Sequence, residues 1–269
     1  MSAKPQIHIS AIIMMEKCGE RFRRRYGADF GWNDRNEIIP PGIALITGIA
    51  THKSIEQNLG NKIQTGELLP LEQIKDIARD SMTGLWQQEV RLLDEEAQNL
   101  KQAKGESIDM VVSLSELHAT ELAPKLRPKS VERKWVIELN GYPYDLAGKI
   151  DIEETDHTIR DTKTSKKSPA QGEADSSEQL TMYYTAKKIC DKVIPPKLYL
   201  DNLVKTSKLK VITLETQRTD QDVTMLLRRI ERAIQVIEKG AFTPARADWW
   251  GCSARFCGFH NSCPFWSGK

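Results

Sequence analysis

Two short segments of the chain carry side chains that can do phosphate chemistry. Asp151 closes the segment 148–151, and the triplet Asp161-Thr162-Lys163 follows ten residues later. Carboxylate oxygens are ligands that Mg²⁺ and Mn²⁺ favour, and a lysine ammonium can orient a water or neutralise charge that develops on a phosphate. The order acid, acid, lysine therefore indicates a divalent-cation site that hydrolyses phosphodiesters.

The elements around these residues must bring the two acids together. Side chains alternate along a strand, so Asp161 and Lys163 share one face. If a tight turn is centred near Asp156, Asp151 lies opposite Asp161 with Cβ atoms about 5 Å apart. Two carboxylates at that spacing repel each other unless a cation lies between them. The backbone carbonyl of Thr162 is a further candidate ligand.

The same hairpin register leaves one conflict, because it places Arg160 on the face of the apolar Ile150 and Ile152. A second interpretation of the charges also stands, since many surface hairpins carry scattered acids and lysines in water. The apolar segment that precedes Asp151 favours the cation site over the solvated hairpin.

Three further side chains are candidates for the same site. Gln179 and Tyr183 are four residues apart on a predicted helix, so they share a face that can hold substrate or orient Lys163. His52 lies on a predicted helix beside Gly48, whose small size allows close approach to another element. We therefore take His52 as a candidate fourth metal ligand, although a lone histidine is more often a packed or exposed residue.

A second constellation consists of thiols. Cys252, Cys257 and Cys263 lie within twelve residues of one another in an aromatic-rich tail, and Cys18 lies near the other end of the chain. Four thiolates suit either a tetrahedral zinc or a cubane iron–sulfur cluster, and His260 is a substitute ligand. The spacings of four and five residues and the apolar surroundings favour iron–sulfur. Such a cluster would join the two ends of the fold and add to its stability.

The composition bounds the class of protein. The chain has 269 residues, of which 39% are hydrophobic and 28% charged, as in a globular protein with one α/β domain or two small ones. No apolar run approaches the ~20 residues of a membrane helix, and no secretory signal is visible. We expect a cytoplasmic location, where cysteines bind metals or pack in the core. The net charge of +2 leaves phosphate attraction to local basic clusters, such as the arginines between 21 and 25.

Hydrophobic periodicity predicts a single domain with three parts: a mainly helical part (1–128), a sheet core with the catalytic site (129–240) and a cysteine-bearing tail (241–269) that packs with Cys18. Cys190 is expected in the core. The predicted helices cover 8–26, 43–58, 70–122 (as two helices), 176–191 and 220–239, and the predicted strands cover 131–139, 142–153, 158–164, 197–204 and 209–216.

Together these residues resemble the PD-(D/E)XK nuclease superfamily. Within it, the series is similar to the RecB-type exonucleases of the iron–sulfur branch, which includes the CRISPR-adaptation exonucleases and the AddB-type nuclease domains. Two features depart from the common pattern: the middle acid is Asp161 where many relatives have Glu, and the first tail spacing is four residues where relatives commonly have two. The residues that carry the resemblance are, in order, Cys18, His52, Asp151, Asp161, Thr162, Lys163, Gln179, Tyr183, Cys252, Cys257 and Cys263.

The resemblance implies a restriction-endonuclease-like α/β core, with a mixed central sheet flanked by helices, a helical N-terminal insertion and a cysteine-rich C-terminal tail. It implies Mg²⁺ or Mn²⁺ held by His52, Asp151, Asp161 and the Thr162 carbonyl, with Lys163 catalytic. Gln179 and Tyr183 would form an accessory helix motif of the catalytic site. Cys18, Cys252, Cys257 and Cys263 would bind a [4Fe–4S] cluster, with Zn²⁺ as the alternative.

The activity that the resemblance implies is a metal-dependent DNA exonuclease acting on ends or single strands, in recombination, repair or phage DNA processing. The chain has no Gly-x4-Gly-Lys-Ser/Thr motif, which indicates a stand-alone nuclease of a bacterial, archaeal or phage-infected cell. Recombination or CRISPR-adaptation proteins would be its partners, and no membrane is involved. Two alternatives remain open: a module on a nuclease fold that binds DNA or protein without cutting, and a structural zinc protein.

Overall fold

The computed structural model describes residues 4–246 and 248–266, in which helices dominate the first half and strands the middle. The α-helices are α1 (Ile9–Lys17), α2 (Gly19–Tyr26), α3 (Ile43–Thr65), α4 (Leu71–Trp86), α5 (Asp94–Gln98), α6 (Leu100–Leu117), α7 (Gln171–Asp175), α8 (Glu178–Ala186) and α9 (Asp220–Lys239). The strands are β1 (Gln6–Ile7), β2 (Pro128–Glu138), β3 (Asp145–Glu154), β4 (Ile159–Ser165), β5 (Leu198–Val204) and β6 (Lys210–Thr216).

The strands form one six-stranded mixed sheet in the order β1-β3-β4-β5-β6, with β2 paired to β3. The β3–β4 and β5–β6 pairs are antiparallel, whereas β4 and β5 are parallel. Parallel neighbours need a long crossover, and α7 and α8 supply it between β4 and β5. The predicted architecture, a mixed sheet flanked by helices, is therefore confirmed. Among the described residues, no helix is both long and apolar enough to cross a membrane.

The chain divides into two compact units. The central unit comprises Pro41–Trp135 and Lys149–Thr219, and the terminal unit comprises Met1–Pro40, Val136–Gly148 and Asp220–Lys269. Every residue predicted for the nuclease site lies in the central unit, and the four cysteines predicted for the cluster lie in the terminal unit.

In the central unit, two buried clusters fix α3, the helix that carries His52. Ile46 and Ala50 of α3 pack with Met82 and Val111 from α4 and α6. One or two turns later, Ile55 and Leu59 join a second cluster with residues such as Ile152 and Leu203 of the sheet. Burying each large aliphatic side chain contributes roughly 1.5–3 kcal/mol, so the position and rotation of α3 are strongly determined.

The β3–β4 hairpin has the register that the sequence predicted. Ile152 pairs with Arg160 and Glu153 with Ile159, and extending this pairing by one residue places Asp151 opposite Asp161. His157, in the tight turn, has a φ of 70°. The turn therefore sets which acids face each other.

Several predicted helix boundaries were wrong. α3 continues to Thr65 and ends at Gly66, which has a left-handed φ of 85°. The segment 8–26 is interrupted at Cys18, where the backbone is extended and the Cys18 Sγ atom caps α2 by accepting a hydrogen bond from the Arg21 N–H. The predicted helix 176–191 is shorter, with α8 beginning at Glu178 and ending at Ala186, where the π-helical turn Lys187–Asp191 follows; α7 precedes it as a separate helix.

Candidate active site

His52 lies where α3 meets the β3–β4 hairpin. Its Nε2 atom lies 2.8 Å from the carbonyl oxygen of Thr162. Its Nδ1 atom lies 3.7 Å from an oxygen of Asp151 and 3.8 Å from one of Glu132. The close approach of His52 to another element is thus observed, and that element is the hairpin. His52 also lies near Glu132, an acid that was not predicted for the site.

Asp151 is held through both of its oxygens. The Tyr183 hydroxyl donates to Oδ1 at 2.9 Å, and the Thr162 N–H donates to Oδ2 at 3.2 Å. Because both donors are fixed by the backbone or by burial, the Asp151 carboxylate has a defined orientation. Such fixed orientation is what a metal ligand or a charge-stabilising group needs.

Asp161 is fully buried, yet only one of its oxygens is satisfied. The Lys163 ammonium donates to Oδ1 at 2.8 Å. Within the described residues, Oδ2 has no hydrogen-bond partner. An unpartnered buried carboxylate oxygen costs free energy unless a cation or a proton meets it. This donor set therefore suits a divalent cation.

The pKa shifts follow from the crowding of these charges. Burial, reinforced by the neighbouring Asp151 against the opposing effect of Lys163, raises the pKa of Asp161 to about 7. Burial alone would lower the pKa of Lys163, but the Asp161 and Asp151 carboxylates raise it. The nearby His52 ring, opposed by burial and helped by Lys149, lowers the pKa of Glu132 to about 2. The site thus keeps Lys163 and Glu132 charged at neutral pH.

Tyr183 and Gln179 lie one turn apart on α8, and the Tyr183 hydroxyl donates to Asp151. Tyr183 is 2% exposed. Burial and the nearby Asp151 raise the pKa of the Tyr183 phenol well above its ordinary value, so it remains a donor. Tyr183 therefore orients an acid of the site.

Glu132 is the site residue that sequence reasoning missed. It lies in β2 with a φ of 49°, and Lys149 donates to its carboxylate at 2.8 Å. Ligand atoms of His52, Glu132 and Asp151 all lie within 4.8 Å of one another, a spacing that suits a metal ion. In the sequence, Glu132 stands in an ordinary charged stretch and carries no recognisable signal.

The predicted conflict at Arg160 has a structural resolution. Its guanidinium binds Glu154 at 2.6 Å and Asp201 at 3.0 Å, and it lies 4.2 Å from the ring centroid of Tyr199. Arg160 therefore has two acidic partners and an aromatic one, which compensate for its burial.

A cavity of about 790 Å³ opens beside these residues. Lys163 and His52 border it on one side, and Gly84 of α4 borders it on another. Leu45 and Ile49, on the exposed face of α3, also line it and are 55% and 44% exposed. The cavity thus joins a charged end to an apolar wall.

The four cysteines predicted for a cluster are neighbours in the terminal unit. The Cys18 thiol accepts hydrogen bonds from the Arg21 and Ala245 N–H groups, both at 3.4 Å. Burial and the proximity of Cys257, Cys263 and Cys18 raise the pKa of the Cys252 thiol. None of the five cysteines, all of them in the described part of the chain, forms a disulfide.

Two assignments of single residues were wrong. Cys190 is exposed, because the π-helical turn at the end of α8 rotates it away from the core. Arg24 is not an exposed member of the basic cluster between 21 and 25: it is 7% exposed and bonded to Glu37, to the Phe259 carbonyl and to Ser262. Arg23 is likewise paired, with Glu20.

Comparison with known proteins identifies a family and a similar fold. Residues 9–264 match the family model described as the PD-(D/E)XK nuclease superfamily. The chain is similar in structure to a protein of Eubacterium rectale named "Putative exonuclease", at 12% identity and a TM-score of 0.51, over 93% of this chain and 87% of that one. At this identity the likeness concerns the fold alone. A weaker likeness, to a protein named SSO0001, has 15% identity and a TM-score of 0.37, over 71% of this chain and 96% of that one. No curated protein is significantly similar to the chain.

Proposed function

Because the chain belongs to the PD-(D/E)XK nuclease superfamily, we propose that it is a divalent-metal-dependent deoxyribonuclease, acting as an exonuclease on DNA ends or single strands. The observation that carries this proposal is the buried Asp161 carboxylate, with one oxygen bound to Lys163 and the other without a partner in the described structure.

His52, Asp151 and Asp161 would hold the cation. The Thr162 carbonyl oxygen lies beside the Nε2 atom of His52. A bound Mg²⁺ or Mn²⁺ polarises a phosphodiester and lowers the pKa of a water. The donors are oxygen and imidazole nitrogen, which are suitable for both ions.

Lys163 would supply the catalytic positive charge that comes from the protein itself. Its side chain is half exposed and borders the cavity, while its ammonium is bound to Asp161. From there it can donate to a phosphate oxygen or orient the attacking water. The water oxygen bonds to phosphorus as the bond to the 3′ oxygen breaks. A proton passes from the water to solvent, and another reaches the 3′ oxygen, which leaves a 5′ phosphate and a 3′ hydroxyl.

The apolar wall of the cavity supports the choice of a single strand. Leu45 and Ile49 offer exposed aliphatic surface beside the charged end, and an unpaired base presents a flat apolar face that such surface can cover. In a duplex the same faces are stacked. We therefore propose that a frayed end or a single strand enters along α3.

We further propose that the four cysteines bind a [4Fe–4S] cluster, as in the RecB-type and CRISPR-adaptation exonucleases that the sequence resembles. Among the described residues, no three of these thiols lie within 4.8 Å of one another. A tetrahedral zinc with Zn–S bonds of about 2.3 Å needs sulfurs roughly 3.8 Å apart. The wider spacing supports the larger cluster. Free thiols also support a reducing, cytoplasmic location, and roles in recombination, repair or phage DNA processing remain part of this proposal.

Digestion of DNA labelled at either end, single- or double-stranded, with Mg²⁺ or Mn²⁺, tests the activity. We expect products that shorten from an end, faster on single strands, and none with Lys163→Ala. Lys125→Ala, an exposed lysine outside the site, is the matched control. Equal cleavage by wild type and Lys163→Ala would refute the site, and DNA binding without cleavage by wild type would indicate a non-cleaving module.

A further inference from the structure

We propose that Glu132 binds the divalent cation directly, together with the Nδ1 atom of His52 and with Asp151. This inference rests on the proposed function, since it extends the cation site of that function. It assigns a ligand to a residue that lies in β2, outside the motif residues from which the site was predicted.

The two ring nitrogens of His52 have different partners, and this decides which of them can face the ion. Nε2 lies 2.8 Å from the Thr162 carbonyl oxygen. A carbonyl only accepts, so Nε2 must carry the hydrogen in this contact. A histidine that binds a metal commonly donates its other N–H to a backbone carbonyl or a carboxylate, which fixes the ring. This leaves Nδ1 as the atom with a lone pair to offer.

The Nδ1 atom of His52 faces an oxygen of Asp151 at 3.7 Å and an oxygen of Glu132 at 3.8 Å. Ligand atoms about 2.1 Å from an octahedral ion lie roughly 3.0 Å apart when adjacent and 4.2 Å apart when opposite. The observed separations fall between these limits. One ion can therefore touch all three atoms after small side-chain shifts.

Asp161 and Glu132 differ in their distance from His52 and Asp151. Asp161 lies outside the group of ligand atoms within 4.8 Å of one another that contains His52, Glu132 and Asp151. Asp151 is therefore common to both donor sets, and the Asp161 side chain would have to shift to reach an ion held by His52, Glu132 and Asp151. Glu132 adds the second carboxylate on the His52 side, where Asp151 would otherwise be the single anionic partner of the ring. Two carboxylates and an imidazole form a donor set typical of a divalent cation.

Mn²⁺ titration of the metal-stripped full chain by calorimetry tests the proposal. We expect Glu132→Gln to weaken Mn²⁺ binding at least about tenfold. Glu56→Gln is the matched control: Glu56 also borders the cavity and loses the same charge, but its carboxylate is bound to Lys53 at 2.9 Å. It should bind Mn²⁺ like wild type.

Glu132→Asp separates contact from long-range charge. It keeps the charge but withdraws the oxygens by one methylene, so direct binding predicts weaker Mn²⁺ affinity in this variant too. Wild-type affinity in Glu132→Asp, or equal loss in Glu56→Gln and Glu132→Gln, would overturn the assignment. Wild-type affinity in all variants would refute this inference alone, whereas a wild type that binds no Mn²⁺ would refute the proposed cation site as well.

Discussion

The Tyr183 hydroxyl donates a 2.9 Å hydrogen bond to Oδ1 of Asp151 from a side chain that is 2% exposed. Tyr183 is too buried to meet a substrate, so its influence on the reaction passes through the acid that it holds. This contact links α8 to β3 and fixes the orientation of the carboxylate that we propose as a metal ligand.

Removing that hydroxyl tests the role. Tyr183→Phe should lower the rate of DNA cleavage roughly fivefold, the consequence of losing about 1 kcal/mol of orientation from one hydrogen bond. The fold should persist, because the ring still fills its site. Tyr184→Phe, a change of a buried neighbour on the same helix, is the control. Steady-state cleavage rates at saturating Mn²⁺ check the prediction, and equal rates for the two variants would contradict it.

The apolar wall of the cavity should govern substrate affinity. Truncating Leu45 and Ile49 together to Ala should raise KM for single-stranded DNA several-fold, with kcat little changed, because the variant loses base contact but keeps the charged site. Ile63→Ala is the control, since Ile63 is also exposed on α3 but does not line the cavity. A fall in kcat without a change in KM would show that these side chains do not hold the substrate.

The cysteine cluster should stabilise the terminal unit. Cys257→Ser should lower Tm by about 10 °C, the shift that a loss of roughly 3 kcal/mol produces in a chain of this size. Cys190→Ser, at an exposed thiol of the other unit, should leave Tm unchanged. Differential scanning calorimetry of anaerobically prepared protein measures both. Visible absorption that disappears in Cys257→Ser would identify iron–sulfur, whereas a colourless protein containing zinc would contradict that cluster.

His118 makes stability depend on pH. It is buried in the π-helical turn that follows α6, and burial lowers its pKa to about 3. Its unfolded pKa is near 6.5, so between these values the unfolded chain binds the extra proton, and acidification destabilises the fold. His118→Leu should therefore lose less stability than wild type between pH 7 and pH 5. Urea unfolding at the two pH values checks this, and equal losses would contradict it.

The sequence predicted what depends on local rules. Alternation along β3 and β4 and a turn near Asp156 placed Asp151 opposite Asp161, and the observed register agrees. The apolar stripe of 220–239 likewise predicted α9 to the residue. These features need only the periodicity of a strand or a helix, which is written in consecutive residues.

What the sequence could not show depends on contacts between distant segments. Glu132 reaches His52 because β2 turns there with a positive φ and α3 packs against the sheet. Arg24 is withdrawn from solvent by Glu37 and Ser262, which no spacing reveals. Cys190 was misplaced because a π-helical turn changes the helical phase by about one residue per turn.

The central claim is that Asp151, Asp161 and Lys163 form a cation-dependent site that hydrolyses DNA. The most direct test measures Mn²⁺ binding and cleavage of single-stranded DNA for wild type and Asp161→Asn, with melting in EDTA as the check on folding. We expect Asp161→Asn to fold, to bind Mn²⁺ more weakly and not to cleave. A folded Asp161→Asn protein that cleaves DNA at the wild-type rate would contradict it.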